Sequence, residues 1–80
     1  MMDKAIKELT LLLIYLTSWQ EEAGSIKIQR SWKGYPFEIL DELRDEGYLT
    51  GRKTAKSLYL TEEGISMAKE LIKKYIGKQE

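Results

Sequence analysis

An α+β domain with winged-helix order is the fold this chain predicts, on three observations. Pro36–Glu46 is a short amphipathic segment closed by Gly47. Two runs rich in β-formers, Tyr48–Thr50 and Ser57–Leu60, flank the basic turn Gly51–Lys56. Thr61 then opens a final helix. A central helix, a two-stranded wing and a closing helix, preceded by a helix and a strand, fit few other topologies.

Each element has its own justification. Asp3 suits the N-cap of a first helix, and Gly24 the position just past its end. At about 100° per residue, Ile6, Leu9, Leu12, Leu13 and Leu16 share one face, while Leu11, Ile14 and Tyr15 fall on the opposite one. A helix apolar on two sides is buried on two sides, so the second face must meet either the C-terminal helix or a second copy of the chain. Ser25–Gln29 alternates as a short half-buried strand, with Ile26 and Ile28 pointing together. Arg30–Tyr35 has no helical period and holds Gly34, which leaves room for an abbreviated second helix of about one turn.

Pro36 suits the first helical position of the central helix, where a missing N–H costs nothing. Ile39, Leu40 and Leu43 form that helix's core face, and Gly47 ends it in a left-handed cap. Thr61 is a good N-cap for the last helix, and Glu62 and Glu63 oppose the positive end of its dipole. Ile65, Ala68, Leu71, Ile72, Tyr75 and Ile76 share one face of it before Gly77. Trp19 and Trp32 read as core residues, Trp32 filling the volume that a full second helix would take.

Eighty residues make one domain, 1–80, with a single modest core. The chain has no cysteine, so neither disulfides nor thiolate metal sites reinforce it, and no histidine, the commonest general base. No nucleophile elbow or glycine-rich phosphate loop occurs, and Gly51–Thr54 is too short for one and leads into a strand. A non-enzyme with no catalytic residue, cofactor or metal site is therefore expected. MMDKAIKEL lacks the features of a signal peptide, and the apolar run Leu11–Leu16 is far short of the roughly 20 residues that span a bilayer. A cytoplasmic protein without a membrane partner is the expectation.

Several segments carry a resemblance: LLIYLT (Leu12–Thr17), RSWKGY (Arg30–Tyr35), ILDELRDEGYL (Ile39–Leu49), AKS (Ala55–Ser57) and LTEEG (Leu60–Gly64). In these the chain resembles a group of small prokaryotic winged-helix proteins of unknown function, with Trp-Lys-Gly and Ala-Lys-Ser the most specific elements. More distantly it is similar to MarR-like and PadR-like regulators. The resemblance implies a transcription-regulator-like protein that binds double-stranded DNA as a homodimer joined through terminal helices. The second face of the first helix, Leu11, Ile14 and Tyr15, is then the expected dimer interface.

Charge divides the functional reading. Thirteen basic residues balance thirteen acidic ones, and a dedicated nucleic-acid binder usually carries a basic excess. On the central helix Glu38, Asp41, Glu42, Asp45 and Glu46 lie opposite Ile39, Leu40 and Leu43, a face that a phosphate-lined groove would repel. The basic residues cluster at the wing, where Arg52, Lys53 and Lys56 are placed to touch phosphates, with Lys27, Arg30 and Lys33 in support. DNA binding mainly through that wing is the expected function. The alternative is a protein-interaction module that does not bind DNA and offers Glu38, Asp41, Glu42 and Asp45 to a basic partner.

Overall fold

The computed structural model describes residues 2–32, 34–51 and 57–77. Helix α1 (Met2–Leu16) leads into strands β1 (Trp19–Ala23) and β2 (Ile26–Trp32), then helix α2 (Phe37–Asp45), strands β3 (Leu49–Thr50) and β4 (Ser57–Leu60), and helix α3 (Glu62–Leu71). A π-helical turn, Ile72–Ile76, extends α3. The result is mixed α+β, with three helices on one four-stranded antiparallel sheet of order β1-β2-β4-β3.

Helix α1 ends at Leu16, where its apolar period ends, and well short of the cap expected at Gly24. Thr17 and Ser18 turn their hydroxyls back onto its last carbonyls, Thr17 Oγ1 to Leu13 O at 2.8 Å and Ser18 Oγ to Tyr15 O at 2.5 Å. The chain then extends as β1. Gly24, at φ +68°, is the first residue of a two-residue hairpin turn between the paired Ala23 and Ile26, where a helix cap was expected. Asp3 correspondingly lies inside α1, and β2 runs on to Trp32 where the expected strand stops at Gln29. Among the described residues between β2 and α2 there is no helical turn, so the abbreviated second helix is replaced by this longer hairpin.

Local signals elsewhere hold. Pro36 is the N-cap of α2, one position before the expected place, and its carbonyl accepts from the N–H groups of Ile39 and Leu40, each at 3.1 Å. Gly47, at φ +88°, closes α2 in a Schellman turn: its N–H donates to Arg44 O, and the Tyr48 N–H to Leu43 O. Thr61 caps α3 by accepting from the Gly64 N–H at 2.9 Å. Thr61 N–H also donates to Tyr48 O at 3.1 Å, which draws the first turn of α3 against the start of β3. Only glycine fits there, because a Cβ on Gly64 would sit 2.1 Å from Tyr48 O.

The core lies between the helices and one face of the sheet. Leu11, Leu12 and Ile14 of α1 meet Leu40 and Leu43 of α2, Leu49, Leu58 and Leu60 of the sheet, and Leu71 of α3. This inverts the two faces of α1. Leu11 and Ile14 are fully buried and Tyr15 packs against the core, so the surface expected to meet a second subunit is internal. Of the face expected inside, only Leu12 is buried. Tyr35, not Trp32, packs against the core between β2 and α2, with its hydroxyl 3.3 Å from Thr17 Oγ1. Tyr75 and Ile76 leave the core face because the π-turn changes the rotation per residue, and both are exposed.

Candidate functional site

The open face of the sheet is built by strand alternation. Trp19 lies opposite Arg30 on β2, and Arg30 lies opposite Tyr59 on β4, so the three form a row across the sheet. Glu21, Ile26, Ile28 and Trp32 share that face by the same period of two. Trp32, placed in the core by the sequence argument, is 62% exposed here. It rests against Trp19 with ring centroids 5.3 Å apart and planes tilted by 46°, a favourable aromatic geometry. Ile26 and Ile28 do point together, but outward, with Ile26 exposed.

Arg30 is already engaged on this face. Its Nη1 donates to both carboxylate oxygens of Glu21, at 2.8 and 2.9 Å, and its Nη2 to the Tyr59 hydroxyl at 3.1 Å. The guanidinium also lies over the Tyr59 ring. The Glu21 hydrogen bond holds the Arg30 pKa above its ordinary value, while the Trp19 indole N–H and then Arg30 hold the Glu21 carboxyl below its own. A guanidinium matched in this way has little charge to offer a phosphate.

Lys27 is separated from the wing. It lies exposed near the β1–β2 turn, whereas the wing end of β2 is Trp32, the cross-strand partner of Ser57. Five residue steps of extended chain, about 17 Å, separate the two. The register does join the two specific motifs, since Trp32 of Trp-Lys-Gly faces Ser57 of Ala-Lys-Ser. Lys33, Arg52, Lys53 and Lys56 lie outside the described residues.

The acidic side of α2 is partly neutralised from within. Lys7 of α1 reaches Glu46 and, at 3.8 Å, Glu42, and Arg44 pairs with Asp41 at 2.8 Å. The bond to Glu46 raises the Lys7 pKa. Glu38 and Asp45 are exposed and have no ionic partner among the described residues. Beside these pairs, a groove of about 580 Å³ separates α1, α2 and α3, floored by Leu11, Leu43, Met67 and Leu71. Further along α1, Glu8 accepts from Tyr75 Oη at 2.6 Å and from Lys74 Nζ at 2.9 Å, and these bonds, Tyr75 first, lower its pKa. No cluster of three potential metal ligands occurs among the described residues, and no described helix is long and apolar enough to cross a membrane.

These features define a small α+β domain whose antiparallel sheet is covered by helices on one side and lined with aromatic residues on the other. Over residues 2–78 the chain matches the model of a family described as a domain of unknown function, DUF6429, and it belongs to that family. That match lends no support to a winged-helix, MarR-like or PadR-like assignment. No curated protein and no solved structure matches the chain.

Proposed function

We propose that the chain is a winged-helix-type module that holds duplex DNA by its phosphate backbone through the β3–β4 connection. One observation carries this reading: α2 passes through the Gly47 turn directly into a β3–β4 hairpin whose connecting residues 51–56 read Gly-Arg-Lys-Thr-Ala-Lys. Arg52, Lys53 and Lys56 are the contacting residues, with Lys33 next in chain to Trp32. Arg30 and Lys27 leave the set, the first because Glu21 matches its charge and the second because it sits at the far end of β2. The acidic α2 faces away from the groove, so binding is independent of sequence and weak. Three phosphate contacts give a salt slope near −2.7. Fluorescence anisotropy with a random duplex tests this: Arg52→Ala with Lys53→Ala should weaken binding and bring the slope to about −0.9. No binding by the wild type at ~100 μM protein and ~50 mM salt would refute it.

Glu38 and Asp45 support a second reading, in which the exposed acidic side of α2 receives a basic protein partner and DNA is not bound. Reversing Asp41 and Asp45 to lysine should then abolish capture of that partner. Capture that survives the reversal would exclude this face.

A further inference from the structure

One apolar surface is used neither by the core nor by the proposed wing. On α1, Ile6, Leu9, Leu13 and Leu16 are 43%, 45%, 48% and 52% exposed. Their spacing of three, four and three residues is that of a coiled-coil seam, which keeps them in one line along the helix. At roughly 90 Å² apiece they present a continuous stripe of about 350–400 Å², the size of patch that is often functional on a small protein.

Three observations indicate what covers it. The stripe carries no charge, and neither do the flanking positions Ala5, Thr10 and Thr17, although 32% of the chain is charged; the one charged residue in the column of Thr10 and Thr17 is Asp3, at the start of the helix. A bilayer surface selects helices with free Lys or Arg beside the apolar face, whereas Lys7, which borders Ile6, is paired with Glu46 and Glu42 of α2. The polar shoulders can be buried without stranding a donor, since Thr10 Oγ1 donates to Ile6 O at 2.7 Å and Thr17 Oγ1 to Leu13 O at 2.8 Å. Finally, a chain of zero net charge does not repel its own copy at long range. Two stripes with their shoulders bury about 1,000 Å² in total, which meets the lower limit for a specific, reversible interface.

We infer that the chain forms a homodimer in which two α1 helices pack along Ile6, Leu9, Leu13 and Leu16 across a two-fold axis. The inference does not depend on DNA binding. Sedimentation velocity of the whole chain between ~5 and ~500 μM should show a shift from monomer to dimer, as a micromolar interface requires. Leu13→Glu should raise the dissociation constant at least ~100-fold while the far-UV circular dichroism stays that of the wild type. Leu9→Gln, a milder change, gives the same reading if the glutamate variant does not fold. Because the chain has no cysteine, Leu9→Cys and Leu13→Cys each supply a single thiol, and either variant alone, or the two mixed, should yield a disulfide-linked dimer on mild oxidation. Monomeric wild type at ~500 μM would overturn the inference. So would a Leu13→Glu variant that folds and still dimerises, or co-sedimentation of the wild type with anionic phosphatidylserine–phosphatidylcholine vesicles that Leu13→Glu abolishes.

Discussion

Adding one methyl group at Gly64 should measurably destabilise the domain. A Cβ there meets Tyr48 O at 2.1 Å and the Tyr48 carbonyl carbon at 2.9 Å. Both are backbone atoms, so no side chain can swing aside, and the first turn of α3 must retreat from β3. Overpacking of this kind costs about 1–3 kcal/mol. The retreat also opens the 3.1 Å bond from Thr61 N–H to Tyr48 O, worth about 1 kcal/mol. Alanine's better helix propensity returns at most about 1 kcal/mol. The net loss is about 1–3 kcal/mol, against a total stability of about 4–12 kcal/mol for a chain of this length. At about 4–8 °C per kcal/mol the melting midpoint should fall by roughly 4–24 °C. Thermal and urea unfolding followed by circular dichroism measure this directly. Gly34→Ala is the control, since a Cβ there meets nothing within 4 Å, and its effect should stay within about 0.5 kcal/mol. If Gly64→Ala melts within ~3 °C of the wild type, or higher, the close approach of α3 to Tyr48 is wrong.

The faces of α1 make a second prediction. Ile14→Ala empties a fully buried site and should cost about 2–4 kcal/mol. Leu13→Ala, at protein concentrations too low for association, should cost less than about 1 kcal/mol by the same urea titration; equal losses would mean that the core face has been misassigned. A third concerns acid. Glu21 and Glu8 have folded-state pKa values below the ordinary one, so the stability they contribute is complete above about pH 4.5 and is lost as the pH falls through the folded values. Glu21→Gln should therefore flatten the dependence of the urea midpoint on pH below about 4.5, and curves that stay parallel to the wild type would refute the pairing.

How much of this was legible in the sequence follows from how local each signal is. The Gly47 turn and the Thr61 cap are settled by residues within four positions, and the structure has both. Gly24 is ambiguous at that range: it can close a helix, or open a hairpin turn with Ser25. The pairing of Trp19–Ala23 with β2 decides between them, and such pairing leaves no trace in helical periodicity. The two faces of α1 are both aliphatic, so counting apolar residues cannot rank them. What ranks them is that Lys7 meets α2 and Glu8 meets the turn after α3, both on the Leu11 and Ile14 side. At the candidate site, the basic character of residues 52–56 is plain in the sequence. The neutralisation of Arg30 is not, because Glu21 lies nine residues away and comes alongside only once β1 exists.

Strand β1 also limits how copies of this protein can aggregate. It pairs with β2 alone and so forms an edge of the sheet, five residues long, reading Trp-Gln-Glu-Glu-Ala. An edge of that length is a template for adding another strand. Two copies joining antiparallel about Glu22, which is exposed and has no ionic partner among the described residues, would set that carboxylate against its own twin, and such like-charge cross-strand pairs are unfavourable. The opposite edge, β3, is only two residues long and gives little to hold. Growth of the sheet into fibrils is therefore hindered at both ends.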